Sequence, residues 1–118
     1  MTELSGKTAL VTGSVQGIGL AIAEALARAG ARIAVHGLAG DAQIHETCTH
    51  LRKSGSPQAE FFAGNLRNPD RIAELMDAVA AWGGVDILVN NAGIQQMGPL
   101  AEMPRVAWDD ILAVNLSA

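Results

Sequence analysis

Residues 10–26, LVTGSVQGIGLAIAEAL, place three glycines between an apolar run and an alanine-rich helical pattern. Glycine inside an element costs about 0.5–1 kcal/mol relative to alanine, so Gly13, Gly17 and Gly19 need a compensating purpose. A strand that feeds a helix through such a loop supplies one. The helix directs its free N–H groups and the positive end of its dipole at the loop. Gly13 permits the sharp turn out of the strand, and Gly17 lets a diphosphate approach the backbone where a Cβ would stand. Gly19 lets the helix pack closely on the sheet. The spacing, Gly-x-x-x-Gly-x-Gly after Thr12, differs from the tighter Gly-x-Gly-x-x-Gly. The loop predicts nucleotide binding.

The flanking pattern alternates strand and helix. KTALVT (7–12) reads as a buried strand, and Ile18, Ala21, Ile22, Ala25, Leu26 and Ala29 give an amphipathic helix over 17–29, ended by Gly30. ARIAVH (31–36) is a second strand, followed by a polar helix over 41–53 that Asp41 would cap and Gly55 end. AEFFAG (59–64) is a third strand. Asn68 caps a helix that opens on Pro69 and stops at Gly83-Gly84. VDILVN (85–90) is a fourth strand, and a last helix runs from Pro104 through Trp108, Ile111 and Leu112 to near Asn115. Strands separated by helices of this length mean βαβ units, and right-handed connections put helices on both faces. The fold expected is α/β, a doubly wound parallel sheet of about four strands, forming one domain over 1–118.

Composition narrows the function. The 118 residues suffice for one modest core, and 49% hydrophobic residues exclude a disordered chain. A net charge of -4 leaves no basic patch for nucleic acid. The single cysteine, Cys48, cannot form an internal disulfide, which suits a reducing compartment. MTELSGKTAL lacks the layout of a secretory signal, and Glu24, Arg28, Arg32 and Asp86 interrupt the apolar tracts before any reaches a membrane span. A cytoplasmic protein without a membrane partner is expected.

TGSVQGIG (12–19), NNAG (90–93) and NLSA (115–118) occur in the order and positions of the short-chain dehydrogenase/reductase signatures, and the chain resembles that family along its whole length. NNAGIQ together with W-D-x-I-L-A-x-N-L-S-A is similar to the bacterial 3-hydroxybutyrate dehydrogenases within it. The resemblance implies a nicotinamide dinucleotide held by Gly13, Ser14, Gln16, Gly17, Ile18 and Gly19 on its diphosphate and nicotinamide side. Asn65 and Leu66 fall where the family has Asp-Val or Asp-Leu against adenine. The Asn65 amide keeps an acceptor but loses the charge. Asn91, Ala92 and Gly93 would pass beside the adenosine ribose, and Val114 would lie near the nicotinamide half. Asn91 has a blander role open to it, as a turn residue supporting its own backbone.

The end of the second strand chooses the dinucleotide, because a carboxylate there holds ribose hydroxyls and a basic group accepts a 2′-phosphate. HGLAG (36–40) offers neither, and Gln16 is not basic. NAD is therefore favoured over NADP, with Leu38 capping the adenosine by apolar contact. The resemblance further implies hydride transfer to or from a small 3-hydroxy acid or ketone, with Gln95 donating to a substrate carboxylate. Of the family's Asn-Ser-Tyr-Lys tetrad it assigns only Asn115. The chain contains no tyrosine, and the catalytic part is expected beyond Ala118. A homo-oligomer, tetrameric by resemblance, is also implied.

Two other classes remain. A non-catalytic nucleotide-binding module fits the missing tyrosine. A methyltransferase uses a similar loop, but the spacing after Thr12, NNAG and the lack of an acidic residue closing the second strand speak against it. HETCTH (45–50) spreads His45, Cys48 and His50 around a helix, so they read as a solvated face rather than metal ligands. His36 ends a strand with no partner visible in the sequence.

Overall fold

Strand and helix alternate without interruption through the computed structural model, which describes residues 3–93 and 105–114. The order is β1 (Thr8–Val11), α1 (Gly17–Arg28), β2 (Arg32–Val35), α2 (Asp41–Ser54), β3 (Ala59–Phe61), α3 (Pro69–Trp82), β4 (Ile87–Val89) and α4 (Arg105–Leu112). The strands form one sheet, β3-β2-β1-β4, and every pair is parallel. Leu10 stands opposite Ala34 on one side and Leu88 on the other. This is the doubly wound α/β arrangement that the sequence predicts.

Parallel strands covered on both faces carry apolar residues at consecutive positions, and Thr8–Val11 is buried throughout. The pleat then sorts them. Ala9, Val11, Ile33 and Val35 pack with Ala23 and Ala27 of α1 and with Cys48 and Leu51 of α2. Leu10 and Ala34 face the other way, against Leu75 and Val79 of α3. Each buried Leu, Ile or Val contributes about 1.5–3 kcal/mol. Exposed ion pairs such as Arg71–Glu74 contribute about 0–1 kcal/mol, so the two apolar layers hold the fold. At the start of β2, Arg32 lies over the Trp82 ring at 4.5 Å and donates to the Trp82 carbonyl at 3.0 Å, tying α3 to the sheet.

Local chemistry sets the helix ends. Asn68 Oδ1 accepts from the Asp70 N–H at 2.9 Å, with Pro69 in the first turn, as its sequence requires. Asp41 does not cap α2. Gly40 occupies the cap position without a side-chain bond, and Asp41 is the first helical residue, where its charge meets the positive end of the dipole. The strands are shorter than their apolar runs, because only the central residues find partners on the ladder. α4 runs to Leu112 and the chain stays helical, in the wider π form, through 113–114; the expected end near Asn115 lies outside the described residues. Among the described residues no helix is long and apolar enough to cross a membrane.

Candidate functional site

From β1 the sheet grows outward through β2 and β3, and α3 then returns the chain to the opposite side of β1. The loops leaving the carboxyl ends of β1 and β4 consequently diverge, and such a reversal leaves a crevice above the strands. A cleft of about 640 Å3 opens there. The β1–α1 loop contributes Gly13, Val15, Gln16 and Gly17, and the end of β2 contributes His36, Gly37 and Leu38. Ala63 to Arg67 come from the β3–α3 loop, Asn91, Ala92 and Gly93 follow β4, and Val114 follows α4.

α1 begins inside this cleft. Its cap residue, Gln16, makes no side-chain cap bond, and its first turn holds no acidic residue. The leading N–H groups and the dipole thus lack the compensation that helix starts usually carry. Gly17 has φ +62°, and a Cβ built there would meet nothing within 4 Å, so the room beside this backbone is vacant. A diphosphate fits that opening: it would supply acceptors and negative charge, at the spot where a side chain would take up the space. Gly19 answers a different need. A Cβ there would collide with the Gly13 carbonyl oxygen and lie 2.5 Å from Asn91 Nδ2. Its close approach is therefore to the loop and to the segment after β4, rather than to the sheet as the sequence suggested.

Side chains lock the loops to one another. Thr12 Oγ1 accepts from the Asn91 and Ala92 N–H groups, each at 3.0 Å, and donates to the Val89 carbonyl at 3.4 Å. Asn91 Nδ2 donates to the Gly13 carbonyl at 3.1 Å, so the amide supports the glycine loop and not its own turn. Ser14 is fully buried and away from the cleft, and its N–H donates to the His36 carbonyl at 2.7 Å. Ser14 Oγ accepts from the His36 N–H at 3.1 Å. Asn65 Oδ1 accepts from the Arg67 N–H at 3.0 Å, so the acceptor that it shares with aspartate is spent within its own loop.

Ten of the residues that the sequence assigned to the cofactor line the cleft: Gly13, Gln16, Gly17, Leu38, Asn65, Leu66, Asn91, Ala92, Gly93 and Val114. Leu38 is 89% exposed on its lip. Ser14 and Gly19 lie behind the loop, and Ile18, 74% exposed, stands on the surface of α1. Gln95 and Asn115 lie outside the described residues. His36 has partners after all: its imidazole meets the Gly13 N–H and the Gly64 carbonyl. Arg67 was also missed; it pairs with Asp110 of α4 at 3.3 Å. A histidine placed next to Gly37 at a strand's carboxyl end was the available signal for the first. Nothing local marks the second. The face read as solvated is divided, with Cys48 buried in the core and His50 bonded to Glu24 of α1 at 2.8 Å.

A family model described as short chain dehydrogenase matches residues 7–118. The D-beta-hydroxybutyrate dehydrogenase of Rhizobium meliloti (strain 1021) is 42% identical over 95% of this chain and 44% of its own length. The sorbitol dehydrogenase of Cereibacter sphaeroides is 40% identical over 98% of this chain and 43% of that protein. A crystal structure of a 3-oxoacyl (acyl-carrier-protein) reductase from Agrobacterium tumefaciens, with NADP bound, superposes with a TM-score of 0.88 at 39% identity, covering 98% of this chain and 44% of that one. The chain thus spans less than half the length of these relatives. Matched over nearly all of its residues and superposing on a solved member's fold, this chain belongs to the short chain dehydrogenase family.

Proposed function

We propose that this chain binds a nicotinamide dinucleotide, NAD in preference to NADP, as the cofactor-binding part of a dehydrogenase acting on a small 3-hydroxy acid such as 3-hydroxybutyrate. The observation that carries the reading is the uncapped start of α1, with the vacant Gly17 Cβ position, in a cleft at the reversal of the sheet. When bound, NAD supplies the hydride acceptor. The chain's own residues bind and orient it. The first N–H groups of α1 receive the diphosphate, Leu38 and Leu66 give apolar cover to the adenosine, and Asn91 and Thr12 hold the loop in shape. Gln95 would orient the substrate carboxylate and Asn115 would serve the proton relay.

The NAD preference rests on the residues of the β2 end, where neither Gly37 nor Leu38 can pair with a 2′-phosphate. Arg67, the one Lys or Arg among the described residues of the cleft, sits on a different loop and is engaged by Asp110. Calorimetric titration of the native protein with NAD and NADP should give at least about tenfold tighter binding of NAD, or 1.4 kcal/mol. Equal affinities would refute the preference, and no binding of either would refute the reading. For the substrate, Gln95→Ala in the full-length enzyme should raise KM for 3-hydroxybutyrate by the worth of a hydrogen bond to a charged group, about 1.5–3 kcal/mol. KM for NAD should stay put. An unchanged KM for 3-hydroxybutyrate would remove Gln95 from the site.

A further inference from the structure

One imidazole joins the two walls of the cleft. His36, 5% exposed, accepts from the Gly13 N–H at Nδ1 (3.3 Å) and faces the Gly64 carbonyl with Nε2 at 2.8 Å. A backbone N–H needs an acceptor and a carbonyl needs a donor, so both contacts are made only by the neutral ring with its proton on Nε2. Its backbone is gripped as well, by Ser14 through the His36 N–H and the His36 carbonyl. Gly13 is the first glycine of the loop that leads into α1. Gly64 directly precedes Asn65 and Leu66 on the opposite wall.

We propose that His36 is a positioning residue for the dinucleotide: as the neutral Nε2–H tautomer it holds the β1–α1 loop and the β3–α3 loop at the separation that the bound dinucleotide requires. The proposal rests on the dinucleotide-binding reading above. A second proton on the ring would put an N–H on Nδ1 against the Gly13 N–H, and the glycine loop would have to move away. Neither group bonded to the ring is charged.

Two measurements on the native protein test this. Nitrogen–proton correlation spectra of the imidazole without ligand should show a protonated Nε2 and a bare Nδ1; an Nδ1–H tautomer would overturn the proposal. His36→Phe, which keeps the ring volume and loses both bonds, should weaken NAD binding about tenfold or more. His36→Asn, whose carboxamide oxygen can still accept from the Gly13 N–H, should recover part of that affinity, and it decides alone if the phenylalanine variant does not fold. Wild-type affinity in His36→Phe, or in His36→Asn where it decides alone, would overturn the proposal. A wild-type protein that binds no dinucleotide would instead bring down the functional reading beneath it.

Discussion

Gly17 and Gly19 stand two residues apart and are required for opposite reasons. At Gly17 the space is open and the backbone is left-handed, so an alanine there costs about 1–2 kcal/mol of conformational strain. Its methyl group would stand where the diphosphate is proposed to lie. At Gly19 the space is full, and an alanine forces the loop away from α1 at the cost of overpacking, about 1–3 kcal/mol. Gly17→Ala should therefore lower NAD affinity by more than its modest loss in Tm implies. Gly19→Ala should lower both together. Thermal melting beside calorimetry separates the two cases, and a Gly17→Ala variant with undiminished affinity would place the diphosphate elsewhere. Leu38 supplies a complementary test. Its side chain is 89% exposed, so replacing it scarcely touches the core, and Leu38→Arg should raise NADP affinity by pairing a guanidinium with the 2′-phosphate. Unchanged NADP binding would put the ribose away from the end of β2.

Among the helices, α2 is the most polar in sequence, yet Thr47, Cys48 and Leu51 are buried against the sheet. Burial pushes the Cys48 thiol above its ordinary range, Arg52 pulls it partly back, and Glu60 adds to the rise. The thiolate is the reactive form, so a raised, buried thiol should resist Ellman's reagent at about pH 8 in the native protein and react promptly once unfolded. The sign for stability follows. The folded state holds its thiol proton more firmly, so this contribution is full below the unfolded thiol's value and declines as pH rises through the folded one. Rapid native labelling would mean that α2 opens readily from the sheet. That helix carries no cleft residue of its own, but its start lies beside the β1–α1 loop, where Gln43 Nε2 donates to the Val15 carbonyl at 3.2 Å.

Across the molecule, the strands that end the described sheet are β3 and β4. Leu88 in β4 is 47% exposed and Val106 on α4 is 67% exposed. Among the described residues no strand pairs with the outer side of β4, and such an edge beside apolar side chains is a template for another strand. A polypeptide of residues 1–118 should accordingly self-associate in light scattering. A monodisperse monomer would refute the edge argument.

The alternation of elements, the glycine loop and the family signatures were legible along the chain because each depends on neighbours. A helix face repeats every three to four residues, a buried strand is a short apolar run, and a left-handed turn needs glycine at the turn itself. The walls of the cleft were legible for the same reason, since they are the loops that follow each strand. What holds those walls was not. His36 reaches partners 23 and 28 positions away, and Thr12 accepts from Asn91 across 79. Asp41 looked like a cap, and a self-contained turn stood open as the bland role of Asn91, because each was judged against its neighbours alone. Such bonds exist only once the strand order β3-β2-β1-β4 has brought four carboxyl ends together. A hydrogen bond needs donor and acceptor about 3 Å apart, and spacing along the chain carries no such distance until the sheet has closed.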